Sequence, residues 1–526
     1  MNVDRREFTR IFGAGVGATL IAGSPLEGRA DGAGRPNLLM VCADQHSGRM
    51  LEGGLGGVGT DALVRTPNLA RLARRGVCFR NAYCVSPVCV PARAALMTGR
   101  FASDVGSYGN TTTFDGNGPT WGTHLRNAGY SSWATGKLDL ASGKDLGFTE
   151  VKTTHGHYNR PDITELFRRP LCYRVEERQL VDGRVGDRGG PDKALLDATA
   201  AHVKSRAASG QPFAAYCGIT LPHPEFQAPE KYMALFPPER MPLPDIPDGY
   251  LDRLHPVFQG LRQYSLIATP VPDERIRRAR ASYYAMIAQL DEYVGTLLDD
   301  LERSGALQNT IVVYTADHGE MLGDHGLWLK RVLLEGAARV PLMMAGPGLP
   351  AGKVVDTPVS HVDLVATMLE IAGVERPRDL RGTSLLPLAA GTANAGPRFV
   401  YAENHTEGNC TGSFMIRKGD WKYIYFSYYG QNLLFNLHDD PREMNNLSGK
   451  PAAAAIEREL HETLTSLVNP DAITSRAFEK QDQFWRRMVE KNSADELFGI
   501  LRGRLGDGQA ALLTQKEHPR WMPGTR

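Results

Sequence analysis

The sequence lacks net charge: 60 Lys and Arg stand against 59 Asp and Glu, a formal balance of +1. No global field draws such a chain to nucleic acid or to an anionic membrane surface, so any anion site has to be built locally and no nucleic-acid partner is expected. The body of the chain has no apolar run long enough to cross a bilayer as a helix, so no stable membrane association is expected. Seven cysteines are an odd number, which removes the case for a complete disulfide framework and leaves room for one special thiol. Internal repeats and low-complexity tracts are also missing, which excludes a repeat array. With 526 residues core size is not limiting, and the length suits two or three domains or one large α/β domain with an appendage.

What is present is an alternation of buried strands and helices. LLMVCA, after Pro36-Asn37, reads as a strand covered on both faces and ends at Asp44-Gln45-His46. Thr66-Pro67 is expected to cap the helix NLARLARRG, with Leu69, Leu72 and Ala73 inward and Gly76 at its end. A strand from Gly129 closes at Gly136-Lys137-Leu138-Asp139, and PFAAYCGIT leads into Leu221-Pro222-His223-Pro224. Ile276, Tyr283, Ile287, Leu290, Val294, Leu297 and Leu301 recur at helical spacing along one long helix. Ile311 to Ala316 is a strand ending at Asp317-His318-Gly319, and Arg339 to Gly348 reads as one more buried strand. This order predicts an α/β protein with a large mixed, mostly parallel sheet flanked by helices. From about Arg398, short Tyr-rich strands predict a smaller C-terminal antiparallel sheet. The expected divisions are a leader over 1–30, a catalytic part over 31–390, the small sheet over 391–470 and a helical extension over 471–526.

The motifs fall at the carboxyl ends of the strands, where open α/β sheets bind ligands. In Cys89-Val90-Pro91-Ala92-Arg93, followed by the helix-forming AALM, a thiol is placed at a helix N-terminus, which suits a nucleophile as well as a buried structural cysteine. Cys42 and Cys217 lie in strand-like runs and read as core residues, and packing is also expected for Cys84. The pairs Asp44-Gln45 and Asp317-His318 make a cation site: carboxylates and an amide oxygen suit Ca²⁺ or Mg²⁺, and the imidazole tilts toward Mn²⁺. An Asp at a strand end is also an ordinary turn former. Arg93, Lys137, His223 and Lys330 supply donors for a tetrahedral anion.

C-x-P-x-R resembles the sulfatase signature. RPNLLMVCADQ, TPNLARLARRGV, the TGR element, GYSSWATGK, LPHP, TADHGEMLGDHGLWLK, RVPLMMAGPG, SHVDLVATMLEIAG and LFNLHDDPREMNNL resemble further blocks of that family, in family order. The resemblance implies the alkaline-phosphatase-like fold and hydrolysis of a sulfated small molecule or glycan. It also implies that a formylglycine-generating enzyme converts Cys89 to formylglycine, whose hydrate attacks the ester. Asp44, Asp317, His318 and Gln45 are implied as ligands of one divalent cation, Ca²⁺ first and Mn²⁺ or Mg²⁺ as alternatives. Gly136-Lys137-Leu138-Asp139 departs from the family's common G-K-x-H. An Asp beside a sulfate is repulsive by about 4 kcal/mol at 4 Å and an effective dielectric near 20. Asp139 is therefore expected to pair with Lys137 or to act as a base toward the second hydroxyl. The same string is similar to the uronate-2-sulfatase branch of the family, which makes a 2-O-sulfated uronate the expected substrate. Phosphonate monoester or phosphodiester hydrolysis, choline sulfatase activity and an inactive glycan-binding relative are the alternatives.

The first thirty residues read as an address. Arg5-Arg6-Glu7-Phe8-Thr9-Arg10 resembles the twin-arginine export motif and precedes a mild apolar stretch from Ile11 to Gly23 and small residues near Ala30. The motif implies a bacterial protein carried folded by the twin-arginine translocase to the periplasm or beyond. His361 is expected to hold the core with Asp363. His405, Asn409 and Cys410 either line a sugar subsite or belong to a loop fixed by its own hydrogen bonds.

Overall fold

A computed structural model of the chain describes residues 34–56, 62–154, 174–392, 398–507 and 510–511. The expected leader and Cys172 lie outside the described residues. Eight strands form the main sheet: β1 (Asn37–Ala43), β2 (Gly76–Phe79), β3 (Ser131–Lys137), β4 (Thr149–Thr154), β5 (Phe213–Gly218), β6 (Thr310–Ala316), β7 (Leu342–Ala345) and β8 (Lys353–Val355). Their order is β8-β2-β7-β6-β1-β5-β3-β4. Only β7 runs against the rest, pairing antiparallel with β2 and β6; the other pairs are parallel. β1, β5 and β6 are buried at every position, as strands covered on both faces must be. Cys42 and Cys217 belong to them, and burial pushes their thiols up to about 12 and about 11. Cys84 is raised by burial as well, so these three are inert packing groups.

The helices that matter for the site are α1 (Pro67–Arg74), α2 (Cys89–Thr98), α3 (Gly190–Ala208), α4 (Asp273–Arg303) and α5 (His361–Ile371). α4 buries Tyr283, Ile287, Leu290, Val294, Leu297 and Leu301 as its spacing predicts, while Ile276 is only partly covered. The start of α1 differs from expectation. Thr66 makes no side-chain cap; Asp291 of α4 instead accepts the backbone N–H groups of Asn68 at 3.0 Å and Leu69 at 2.8 Å. Gly76, expected only to end this helix, opens β2, a four-residue edge-side strand too short to stand out from the helix before it.

β9 (Phe399–Asn404), β10 (Ser413–Lys418), β11 (Trp421–Phe426) and β12 (Leu433–Asn436) form an antiparallel meander. It does not have a core to itself. Phe414, Ile416, Tyr423 and Leu434 cluster with Val85, Ala95, Phe101 and Tyr108 from the segments around α2. Full burial of such side chains stabilises by roughly 1.5–3 kcal/mol each, so the meander braces the α2 region directly. Three helices follow, α6 (Ala454–Leu467), α7 (Pro470–Lys491) and α8 (Ala494–Leu505). From Arg35 onward the described residues form one compact unit.

At the carboxyl edge β3 and β5 approach closely. A Cβ on Gly136 would lie 1.9 Å from the Gly218 carbonyl oxygen, and Gly136 has φ +77. The pairing of β3 with β4 also slips between Ala134 and Gly136, a local irregularity that aims the strand end. Gly136→Ala is therefore expected to lower stability by about 3 kcal/mol or more in urea denaturation. Gly143→Ala, at φ +72 with nothing within 4 Å, is expected to cost only about 1 kcal/mol. Equal losses would show that the close approach is not what requires Gly136.

Candidate active site

α2 is buried on all sides and begins at Cys89, after an extended Val88. Pro91 occupies its third position, where a backbone N–H has no partner inside the helix. The Val90 N–H is taken by Asn110 Oδ1 at 3.2 Å. Cys89 is wholly buried, with its Sγ 3.3 Å from His318 Nε2 and 3.8 Å from Asp44 Oδ1. Lys330 Nζ donates to the same sulfur at 2.7 Å.

Arg93, one helical turn on, ties the helix to three strand ends and to Tyr216 within β5. Its Nε donates to Asp317 Oδ2 at 2.9 Å, and its second terminal nitrogen lies 3.5 Å from Asp44 Oδ2. Its first donates to the Lys137 carbonyl at 2.8 Å and to the Tyr216 hydroxyl at 2.6 Å. Lys137 Nζ donates to Asp44 and lies 3.1 Å from Asp139 Oδ2. Asp139 is also 3.8 Å from Arg93. Of the two roles expected for Asp139, this geometry supports the ion pair.

The two carboxylates below Cys89 differ. At Asp44, burial and the Cys89 sulfur push the pKa up, but Lys137, His223 and Lys330 outweigh them and hold it well below the usual range. At Asp317, burial and the charge of Asp44 win, and the pKa rises. His318 is pushed down by burial but held up on balance, chiefly by Asp317. Its Nδ1 donates to the Gly319 carbonyl at 3.0 Å, which leaves Nε2, 3.1 Å from Lys330 Nζ, as the acceptor nitrogen, the tautomer of a metal-binding imidazole.

One donor atom from each of Asp44, Cys89, Asp317 and His318 lies within 4.8 Å of the others. Gln45 adds an amide whose Nε2 donates to Glu320 at 2.5 Å and whose buried Oε1 has no hydrogen-bond partner among the described residues. Two carboxylates, an unmatched amide oxygen and an acceptor imidazole nitrogen fit a hard divalent cation.

Half-buried His223 touches Cys89. Burial lowers its pKa, and its Nδ1 donates to the Pro224 carbonyl at 2.6 Å. The structure thus brings together Cys89, Arg93, Lys137, Asp139, His223, Lys330, Asp44, Gln45, Asp317 and His318, all ten residues singled out from the sequence. Others belong elsewhere. His361 is buried against Thr315, and Asp363 joins Ser360 in a capping box on α5. Asn409 donates to the backbone carbonyls of Arg331 and Thr406, and His405 lies 3.0 Å from Glu403, so this stretch is a loop fixed by its own bonds.

The supporting residues had no sequence signal. Glu320 accepts the Leu329 N–H at 2.6 Å, Arg331 forms a two-pronged pair with buried Glu177 at 2.7 Å on each prong, and Asn404 donates to the Arg331 carbonyl at 2.6 Å. Together they clamp Lys330 from both sides. Only an unusual density of buried polar residues around HGLWLKR could have pointed to them.

The family model described as Sulfatase matches residues 36–374. The chain belongs to the sulfatase family. A second model, described as N-sulphoglucosamine sulphohydrolase, C-terminal, matches residues 323–470 of this sulfatase. Arylsulfatase K of Canis lupus familiaris is 32% identical over 506 residues, covering 91% of this chain and 92% of its own. Choline-sulfatase of Rhizobium meliloti (strain 1021) is 33% identical over 437 residues, covering 80% of this chain and 83% of its own. Among solved structures, the phosphonate monoester hydrolase SpPMH from Silicibacter pomeroyi is similar with a TM-score of 0.68 at 27% identity, covering 82% of this chain and 95% of that one. The sulfatase is a sulfuric ester hydrolase on the fold its sequence predicts.

If the donor set holds a cation, Ca²⁺ added to chelator-treated protein raises Tm in calorimetry. In Asp317→Asn the Ca²⁺-dependent rise is expected to shrink or vanish. A rise of equal size in wild type and variant would remove Asp317 from the ligand set.

Proposed function

We propose that this sulfatase hydrolyses the sulfate ester of an anionic carbohydrate, a 2-O-sulfated uronate, through a formylglycine made from Cys89. The observation that carries the mechanism is the convergence of Lys330, His318 and Asp44 on the Cys89 sulfur. When present, formylglycine supplies a hydroxyl nucleophile at this position, and a divalent cation held by Asp44, Gln45, Asp317 and His318 supplies Lewis acidity.

The chain's own residues supply the rest. Lys330 and Lys137 present ammonium groups to the oxygens of a bound sulfate, and Arg93 fixes the strand ends that carry the acids. Removing one donor aimed at developing charge costs about 3–4 kcal/mol in sites of this kind. Burial lowers the Lys330 pKa, but the Cys89 sulfur and Asp44 outweigh it and raise the pKa overall. Lys330, whose ammonium reaches the side chain at position 89, is suited to give its proton to the leaving oxygen. His223, whose charged form burial disfavours, lies against position 89 and is placed to accept a proton there. Asp139 balances Lys137 and keeps its ammonium from folding away from the site.

The similarity to a phosphonate monoester hydrolase supports phosphorus esters as the second reading. We also propose export by the twin-arginine translocase to the periplasm, with formylglycine made beforehand in the cytosol. In this reading the boundaries near 390 and 470 mark changes of role inside one unit.

Mass spectrometry of the Cys89 peptide, after expression with a maturation enzyme, is expected to show the aldehyde, and thiol alone would remove formylglycine from the mechanism. Initial rates on an aryl sulfate, a phenylphosphonate ester, choline sulfate and a 2-O-sulfated disaccharide are expected to favour the disaccharide. Preference for the phosphonate would reverse the assignment. For Asp139→Asn, kcat is expected to fall about tenfold with the shape of the pH-rate profile kept; loss of one limb would make Asp139 the base.

A further inference from the structure

Lys330 and His223 open into a cavity of about 790 Å³ whose wall also contains Glu177, Glu225 and Arg188. The four acids that line the cavity, Glu177, Glu225, Asp182 and Glu407, already have partners: Arg331, Arg184 and Arg278 for the first three, and the Asn110 amide for Glu407. Arg188 has none. It is half-buried, makes no ion pair or hydrogen bond with the described residues, and its Nε is buried without a partner. A guanidinium taken partly out of water and left unmatched is costly unless an anion completes it.

The stretch that carries Arg188 is held rigidly beside the stretch that carries His223. Asp187 Oδ1 accepts the N–H groups of Gly189 and Gly190 at 3.0 Å each and the Gln289 amide of α4, also at 3.0 Å. Asp192, in the first turn of α3, accepts the Thr220 N–H at 2.9 Å and the Leu221 N–H at 2.7 Å. On the other side Arg184 N donates to the Phe226 carbonyl at 3.2 Å and Gly186 N to the Ala228 carbonyl at 3.0 Å. Both segments are thus fixed relative to one another before any ligand arrives, which lowers the ordering cost of binding.

We propose that Arg188 is a specificity residue that binds a second anionic group of the substrate, a carboxylate or a further sulfate, while the reacting sulfate lies at Cys89. This assignment rests on the sulfatase reading above. The planar, always charged guanidinium matches either oxyanion with two parallel hydrogen bonds. A substrate with a quaternary ammonium head meets the opposite: an unpaired cation in the same cavity, which repels it. Choline sulfate is therefore a poor substrate, although a choline-sulfatase is a close relative in sequence.

The test compares a 2-O-sulfated uronic acid disaccharide with its carboxyl-reduced counterpart and with the reduced form carrying a second sulfate. Wild type is expected to prefer the acid to the reduced disaccharide by about 10- to 100-fold in kcat/KM, the range for a charge-assisted pair. Arg188→Gln is expected to abolish that preference, mainly through KM, and Arg188→Lys to keep part of it. Turnover regained when the second sulfate is added assigns the subsite to oxyanions generally; none regained assigns it to the carboxylate. Wild-type turnover without preference, preference kept in Arg188→Gln, or equal loss on both disaccharides in that variant would each overturn the role of Arg188. Absence of sulfate release from every substrate by formylglycine-bearing wild type would instead overturn the sulfatase mechanism itself.

Discussion

The site depends on one buried guanidinium. Arg93 touches the residues that end or follow β1, β3 and β6 and Tyr216 within β5, four strands that are neighbours in the sheet, and it does so from a helix that enters at Cys89. Because the four strands run parallel, their ends lie on one edge and one side chain can span them. Breaking such a buried pair leaves charge without compensation and costs about 3–5 kcal/mol, so the same contact sets both the shape of the edge and its stability. Around it Asp44, Asp139 and Asp317 are balanced by Arg93, Lys137 and Lys330. A cluster so balanced offers little net attraction to an anionic ester, which is the electrostatic reason the donor set suits an additional positive ion.

Backbone conformation shows where this arrangement is held against local preference. Gln45, Asp139, Leu329, Arg331 and Glu407 all have positive φ without being glycine. Four of the five adjoin or belong to the group around Cys89, and Glu407 accepts from Asn110, which in turn holds the Val90 N–H. Each such residue costs about 1–3 kcal/mol and persists only where its surroundings fix it. Lys330 lies between two of them. Its ammonium reaches the sulfur because Glu320, Asn404 and Asn409 hold the adjoining backbone and Glu177 holds the Arg331 side chain; the two asparagines come from the C-terminal sheet and its loop. The small sheet is thus part of the site's mechanical support, consistent with the core it shares with α2.

The sequence made the strand ends legible because the pattern is physical: an apolar run buried on both faces cannot stop on a carboxylate without a reason. Asp44, Lys137, His223 and Asp317 are therefore legible from the sequence alone as residues of one sheet edge. What escaped was of two kinds. β2 and the antiparallel direction of β7 escaped because short buried strands carry no directional signal. The cap of α1 escaped because Asp291 lies more than two hundred positions from Asn68 and acts only after α4 has packed. Glu177, Glu320 and Arg331 belong to the same second kind, since a buried polar residue has meaning only with its partner in place.

The two halves of the cavity also differ in how they are specified. Its floor, with Lys330 and His223, is made by residues at fixed offsets in motifs, because the chemistry of a tetrahedral oxyanion leaves little freedom. Its wall, with Arg188, comes from a connection between β4 and β5 that has no motif, yet is tied by Asp192 to the stretch that leads into His223. Reaction class is carried by sheet edges and substrate choice by loops clamped to them. A relative can therefore share every strand-end residue and still act on a different ester. In the proposed reading, Arg188, the guanidinium of this wall that no described residue pairs, is what separates an anionic substrate from a cationic one.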